Sequence, residues 1–344
     1  MSYPKISMTN DLEAIYMEYY LTYFIPRRDG KGNNDGKDRS EDSRSNNPEN
    51  DNIIAEPSKS EAMAKLEALI GLDEVKRCIK TNLNYVLLMK AREKAGLPHG
   101  ERILNMTFMG NPGTGKTTVC RLLGALLKEI GILSKGQVVE TNREGLIGQY
   151  IGESEKRTKE LIDEAKGGIL FIDEAYALCT HSDNNRDFGR RVIDTLMTHL
   201  SEPNNDLIVV MAGYTEEMTT LLKSNPGLAS RFPINFEFPD YTPEELMQIG
   251  KQYFATYKYQ ITAEAEAAIQ RLFNSAVNIP NFGNGRYVKT LIENHIIPNM
   301  ANRIALSNAF DDTDALVRIE VADIPLDNTI KREKRQTIGF NVSQ

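Results

Sequence analysis

The sequence predicts an α/β protein in which a parallel β-sheet lies between layers of helices and is followed by a small helical domain. Three observations lead to this prediction. Short continuous apolar segments alternate with amphipathic helical patterns between residues 103 and 238, which is typical of a parallel sheet covered on both faces. A glycine-rich turn joins the first apolar segment to the next helix. After Pro239 the strand signal disappears and only helical patterns follow.

Each predicted element has its own local signal. The predicted strands are 103–110, 138–141, 168–173, 207–213 and 234–238. Helices are expected between Ser58 and Gly96, from Lys116, from Glu153 and through 187–200. The later helices are predicted over 242–257, 262–277 and 286–307, where Pro243 near one start and Thr262 as a cap favour these boundaries.

The chain divides into five segments by composition. These are an aromatic-rich helix within 1–26, a disordered linker at 27–58, an α/β domain at 59–240, a helical lid domain at 241–327 and a basic tail at 328–344. The linker offers almost nothing to bury, so it cannot offset the entropy of ordering. The first helix packs on the main body or docks a partner, and both interpretations stand. The tail is either loose or docked on a neighbour.

Charge and cysteine usage limit the class of protein. The formal net charge of -7 argues against a nucleic-acid binder, which usually carries a basic face. Cys78, Cys120 and Cys179 form no C-x-x-C pair, so we expect small buried thiols in a reducing compartment. No apolar run approaches the ~20 residues of a membrane span, and the N-terminus has no secretory pattern. We therefore expect a soluble cytoplasmic protein.

The strongest motif is a phosphate-binding loop between a strand and a helix. It matches G-x-x-x-x-G-K-[ST] in full and comprises Gly110, Asn111, Pro112, Gly113, Thr114, Gly115, Lys116 and Thr117, with Thr118 following. Glycines allow the backbone N–H groups to approach a phosphate closely. Lys116 is expected on the β- and γ-phosphates, and Thr117 on Mg²⁺. ATP and Mg²⁺ are thus the predicted ligands.

An acidic pair ends the third predicted strand. Asp173 and Glu174 follow the apolar run GILFI. In a parallel sheet both strand ends meet at the edge that carries the phosphate loop. We predict that Asp173 contributes to the Mg²⁺ shell and that Glu174 polarises the attacking water.

These motifs resemble those of the AAA+ ATPases, and within them the CbbX/CfxQ group, which includes red-type rubisco activases and stage V sporulation protein K-like ATPases. The resemblance covers about residues 60–310. It is carried by IGLDEVK (70–76), GQYIGESEKRTKELIDEA (148–165), GGILFIDEAYAL (167–178), NRDFG (185–189), VVMAGY (209–214), NPGLASRF (225–232), FPDYTPEEL (238–246) and GNGR (283–286).

The resemblance implies further site residues. Gly71 and Leu72 lie in a segment like the adenine-side entry of the family. Arg231 resembles the arginine finger that reaches a neighbouring subunit's nucleotide, a contact that can raise the rate ~10³–10⁵-fold. Arg286 resembles the sensor-2 arginine that couples hydrolysis to domain movement. Tyr214 stands where a polar sensor is common, and we assign it no catalytic role.

The resemblance also implies a pore. Tyr150, Ile151 and Gly152 resemble the aromatic–apolar–glycine loop of peptide-threading rings, and a weaker second loop is suggested at His181–Arg186. The function so implied is an ATP-hydrolysing hexamer that remodels or threads a protein client. Two alternatives remain. A DNA-handling AAA+ motor or clamp loader would need a basic DNA-facing surface, and a nucleotide-dependent scaffold would turn over ATP slowly without stimulation by a partner.

Overall fold

The computed structural model describes residues 60–100, 103–148, 150, 152–179, 188–201 and 206–326. The aromatic-rich helix, the linker, the basic tail, Ile151 and the predicted second pore loop lie outside the described residues. Within them, no helix is long and apolar enough to cross a membrane.

A five-stranded sheet forms the centre of the first domain. Its strands are β1 (Met106–Gly110), β2 (Val138–Thr141), β3 (Gly168–Ile172), β4 (Leu207–Gly213) and β5 (Ile234–Phe238). All pairs are parallel, in the order β2-β3-β4-β1-β5. The predicted α/β fold is confirmed. β1 and β3 therefore flank β4, and their carboxyl ends open at the same edge.

The apolar composition of the strands explains why they are central. Every residue of β1, β3 and β4 is buried, as expected for strands covered on both faces. The β5 strand lies at the sheet edge and alternates buried with exposed residues. Phe108 in β1 packs against Phe236 and Phe238, with ring centroids 5.2 and 5.0 Å apart. These contacts fix β5 beside the strand that carries the phosphate loop.

The first strand is shorter than predicted. It begins at Met106 rather than at residue 103. The Asn105 side chain accepts a hydrogen bond from the Val209 backbone N at 2.9 Å. A side chain thus takes the place of a ladder bond at this end of the strand.

Helices cover both faces of the sheet. In the first domain they are α1 (Glu61–Glu67), α2 (Asp73–Lys94), α3 (Lys116–Glu129), α4 (Arg143–Leu146), α5 (Glu153–Ala165), α6 (Phe188–His199), α7 (Thr215–Ser224) and α8 (Pro226–Arg231), with a 3₁₀ turn at Ala175–Cys179. The starts predicted at Lys116 and Glu153 agree with α3 and α5. The cysteines of the described residues form no disulfide bond. Cys120 is buried, whereas Cys78 and Cys179 are only half-buried.

The lid domain is helical, as predicted. It contains α9 (Pro243–Thr256), α10 (Ala263–Ala276), α11 (Asn284–Leu291), α12 (Ile297–Ser307) and α13 (Thr313–Val317), with a π-helical turn at Ile292–Ile296 and a 3₁₀ turn at Val321–Asp323. Thr242 caps α9 in a capping box with Glu245, and the predicted cap Thr262 accepts from Ala265 N. Buried residues of the lid belong to the same apolar cluster as the face of the sheet that carries Phe108, Phe171 and Val210.

Two predictions about the lid are wrong in detail. Strand structure does not stop at Pro239, because β6 (Gln260–Ile261) pairs in parallel with β7 (Arg318–Ile319). Strands of two residues are too short to produce a periodic signal. The helix expected from residue 286 begins at Asn284.

Candidate active site

A cavity of about 290 Å³ opens at the carboxyl ends of β1, β3 and β4. Most of its lining residues carry a charge, a hydroxyl group or no side chain at all. They are Gly110, Pro112, Gly113, Gly115, Lys116, Thr117, Thr118, Asp173, Glu174, Gly213, Tyr214 and Arg286. The fold thus brings the predicted phosphate loop, acidic pair and lid arginine to one place.

The phosphate loop is fixed by its own hydrogen bonds. Lys116 Nζ donates to the carbonyl oxygens of Gly110 and Asn111 at 2.7 and 2.8 Å. Thr114 is buried, and its Oγ1 donates to Asn111 O at 2.8 Å. Asn111 and Thr114 therefore shape the loop from behind, while Gly115 caps α3 at a φ of 95°. The N-terminus of α3 with its free N–H groups suits an anion.

Burial and neighbouring charged groups shift the pKa of Lys116 in the cavity. Burial lowers the pKa of Lys116, the nearby Asp173 carboxylate partly offsets this effect, and Arg286 lowers the pKa further. Two cationic side chains thus stand close together in a partly dry site. An anionic ligand between them would relieve the repulsion and favour the charged lysine.

The acidic pair projects from the end of β3. Asp173 Oδ1 accepts from the Glu174 N at 3.0 Å, and both residues are exposed. Glu174 has a φ of 50°, a left-handed conformation that a non-glycine residue adopts at a cost. This turn places both carboxylates at the cavity instead of continuing the strand.

Two tyrosines stand beside the acidic pair. Tyr214, directly after β4, lines the cavity, and its ring centroid lies 5.9 Å from that of Tyr176. Burial, followed by the neighbouring Glu174 carboxylate, raises the pKa of Tyr176 to about 12. The sequence assigns Tyr214 no role, although a position at the carboxyl end of a strand next to the one that carries the phosphate loop is a signal for a site residue.

The donor set fits a magnesium ion that is bound together with a nucleotide. Thr117 and Asp173 both line the cavity and offer one hydroxyl and one carboxylate. No group of three or more His, Cys, Asp or Glu residues that could hold a metal occurs among the described residues. Mg²⁺ is commonly held by one or two protein oxygens with phosphates and water, which matches this pair.

Gly71 and Leu72, predicted on the adenine side, do not line this cavity. Both have a φ of 59° just before α2, and Leu72 is buried beside Gly115. A Cβ added at Gly71 would overlap the Glu245 carboxylate of the lid. The segment thus sits where the phosphate loop and the lid meet, and its contact with adenine stays a prediction.

The lid touches the phosphate loop directly. Gly285 N donates to Gly113 O at 3.0 Å. A Cβ added at Gly113 would overlap Gly283 O and lie 2.7 Å from Arg286 N, so the backbone approach requires glycine. This contact holds Arg286 at the cavity.

Arg231 does not line the cavity. It ends α8 and is half-buried. Its Nε and terminal nitrogen donate to Ser201 Oγ at 3.2 and 2.7 Å. The side chain is thus held near the end of α6, apart from the nucleotide cavity of its own chain.

Tyr150 stands on an exposed turn before α5. Its side chain is 74% exposed, and the turn is held through its backbone, because Tyr150 N donates to Glu153 Oε2 at 3.1 Å. Arg157 donates to Glu153 Oε1 and to Ile147 O at 2.7 and 3.0 Å. Gly152 has a φ of 86°. An aromatic side chain is therefore presented to solvent on a braced turn.

The chain matches two family models in adjacent regions. Residues 106–240 match the ATPase family associated with various cellular activities (AAA), and residues 242–335 match the AAA lid domain. The chain belongs to the AAA ATPase family. This confirms the family predicted from the sequence. The AAA ATPase is thus an ATP-binding hydrolase.

Known relatives align with more than two thirds of this chain. Stage V sporulation protein K of Bacillus subtilis is 40% identical over 76% of this chain and 81% of its own length. Protein CbbX of Cereibacter sphaeroides is 39% identical over 76% and 85%. The chloroplastic ribulose bisphosphate carboxylase/oxygenase activase of Cyanidioschyzon merolae is 41% identical over 69% and 80%. The predicted likeness to the CbbX/CfxQ group is confirmed.

Solved structures agree on the fold of the AAA ATPase. The FIGL-1 AAA domain superposes with a TM-score of 0.54 over 80% of this chain and 90% of that domain, at 19% identity. At this identity the likeness shows the fold alone.

Proposed function

We propose that this AAA ATPase assembles into a homohexameric ring that uses ATP hydrolysis to remodel or thread a protein client through its central pore. One observation carries the proposal. The cavity gathers Lys116, Asp173, Glu174 and Arg286, whereas Arg231 is held at Ser201 outside it. The cavity therefore contains every predicted catalytic group except the arginine finger, and Arg231 of the next subunit in a ring is best placed to supply it.

The proposed reaction assigns a role to each described group. The backbone N–H groups of the phosphate loop and Lys116 hold the phosphates. Thr117 and Asp173 would hold Mg²⁺, which would neutralise charge on the phosphates of a bound nucleotide. Glu174 orients the attacking water, and the neighbour's Arg231 stabilises the charge that develops on the γ-phosphate. Arg286 links the change at the γ-phosphate to the lid.

The client is proposed from chemistry. The name of the Cyanidioschyzon relative states that it activates a carboxylase, which is a protein, and another relative is named for sporulation. These names point to different processes, so the proposal specifies a polypeptide and no particular one. Tyr150 supports this, since an exposed aromatic ring on a braced turn can grip a chain without reading its sequence. Cys78, Cys120 and Cys179 form no disulfide bond, which supports a cytoplasmic location.

Client capture tests the pore. The Glu174→Gln variant with ATP is expected to retain a client in pull-downs, and adding Tyr150→Ala to it is expected to abolish this retention. Basal ATPase activity of the single Tyr150→Ala variant should stay within about twofold of wild type, because Tyr150 does not line the cavity. Tyr257→Ala is the matched control, since Tyr257 is also exposed but lies at the end of α9 in the lid. Client remodelling by Tyr150→Ala at the wild-type rate would contradict threading.

A further inference from the structure

Asn284 lies where three segments around the cavity meet. Its side chain is fully buried. Nδ2 donates to Asp240 Oδ1 at 2.7 Å, to Phe282 O at 3.1 Å and to Pro112 O at 3.3 Å. Oδ1 accepts from Tyr241 N at 2.9 Å. One amide thus joins the phosphate loop, the connection between β5 and α9, and the first turn of α11.

The backbone of Asn284 is also unusual. Its φ is 48°, a left-handed conformation that asparagine tolerates better than most residues. The next residue, Gly285, donates its N–H to Gly113 O, and Arg286 follows at the cavity wall. The turn that Asn284 fixes is therefore the turn that presents Arg286.

A second link strengthens the same junction. Asn111 Nδ2 donates to both carboxylate oxygens of Asp240, at 3.0 and 2.9 Å. Asp240 in turn accepts from Asn284. The chain of contacts from Asn111 through Asp240 to Asn284 runs from the phosphate loop to the lid. Asn284 is fully buried, whereas Asp240 is exposed, so the satisfied bonds of the buried amide hold one specific arrangement at the lid end of this chain of contacts.

We propose that Asn284 is a positioning residue that sets the place of Arg286 by tying α11 to the phosphate loop. The proposal rests on the role of Arg286 at the γ-phosphate given above. A misplacement of about 1 Å at a reacting group can cost ~10²-fold in rate. Loss of the Asn284 amide would therefore lower turnover by displacing Arg286, although Asn284 itself does not touch the nucleotide. A shift of Pro112 or Asp240 on nucleotide turnover would move α11 with it.

Four chains test whether Asn284 acts through Arg286: wild type, Asn284→Gly, Arg286→Ala and the double variant. Glycine removes the side chain and still tolerates the positive φ. For each, the affinity for a fluorescent ATP analogue with Mg²⁺ and the steady-state kcat and KM are measured. We expect Asn284→Gly to lower affinity or kcat about tenfold, but less than about twofold when Arg286 is already alanine. Asn278→Ala, which removes an exposed lid amide, should match wild type.

The outcomes separate this proposal from the proposed function. Wild-type behaviour of Asn284→Gly beside an impaired Arg286→Ala would overturn the role of Asn284 alone, and so would a full tenfold loss in both backgrounds. Wild-type behaviour of Arg286→Ala would contradict the proposed role of Arg286.

If Asn284→Gly lowers the melting temperature, a second test exchanges the residue types at positions 284 and 240. Asn284→Asp retains an acceptor for Tyr241 N but sets a carboxylate against Asp240. Adding Asp240→Asn restores a donor and an acceptor at this contact. We expect Asn284→Asp to impair turnover and the double exchange to be at least about threefold faster than Asn284→Asp but slower than wild type, because the contact with residue 240 is restored while Phe282 O and Pro112 O stay without their donor. A double exchange no better than Asn284→Asp would overturn the proposal.

Discussion

Glu174 combines an exposed carboxylate with a left-handed backbone at the cavity. Such conformations cost of order 1–3 kcal/mol and concentrate at functional sites. Its φ of 50° turns the chain away from β3 directly after Asp173, so both carboxylates face the phosphate loop. The pair could be predicted from sequence, because a strand end beside a phosphate loop is a place where acidic residues serve chemistry. The backbone strain could not, since no residue type signals it here.

Glu174→Gln is expected to lower the kcat for ATP hydrolysis at least ~10²-fold, because the amide cannot accept a proton from the attacking water. Affinity for ATP should stay within about twofold, since the phosphate loop and Lys116 are intact. Phosphate release and titration with a fluorescent ATP analogue measure the two quantities. Glu216→Gln, at an exposed glutamate on α7, is the control. A Glu174→Gln variant that retains half of the wild-type rate would contradict the assigned role.

At the residue scale, site residues could be predicted where a motif requires particular residue types. The phosphate loop could be identified because glycine, lysine and threonine are each required at a fixed spacing. Tyr214 and Asn284 were missed as site residues, because tyrosine and asparagine carry many roles. Only the placement of β4 and α11 brings them to the cavity and its junction with the lid.

Elements that bury continuous apolar runs were predicted well, and short elements were not. The strands β2, β4 and β5 have the predicted ends, because a polar or turn residue bounds each run. The pair β6 and β7 joins segments nearly sixty positions apart, and two residues give no period. Contacts distant in sequence determine such strands.

Gly113 and Gly96 offer a matched test of the contact between the phosphate loop and the lid. Their φ values are 73° and 64°. A Cβ at Gly113 would overlap Gly283 O, whereas a Cβ at Gly96 would meet nothing within 4 Å. Alanine at Gly96 therefore measures backbone strain alone, about 1–2 kcal/mol of unfolding free energy. Alanine at Gly113 should cost about 1–3 kcal/mol more.

Denaturant unfolding of the two variants, together with ATP affinity, checks this comparison. Of the two variants, only Gly113→Ala should weaken ATP binding, because Gly113 lies at the contact between the phosphate loop and the turn that carries Arg286, whereas Gly96 does not. Equal unfolding free energies and unchanged affinity in both variants would show that the loop and the lid do not depend on their contact.

At the scale of the whole molecule, the order of the domains follows from the sequence pattern, whereas their contact does not. The order of domains, a parallel sheet followed by a helical lid, could be predicted, because the strand pattern gives way to helices near Pro239. The way in which the lid closes over the phosphate loop could not, since it depends on backbone approach at Gly113 and on the buried amide of Asn284. Assembly into a ring is a further step that rests on the position of Arg231.

The central claim is that ATP is hydrolysed at a seam between two copies of this chain. Mixing two inactive variants tests it: Lys116→Ala lacks a working phosphate loop, and Arg231→Ala lacks the finger. If the finger acts across the seam, an equal mixture should regain activity at about a quarter of its sites, since random neighbours pair an intact loop with an intact arginine at that frequency. The control replaces Lys116→Ala by the Lys116→Ala/Arg231→Ala double variant and should regain nothing. No recovery in a mixture that sedimentation shows to be assembled, or a wild-type rate for Arg231→Ala alone, would contradict the claim.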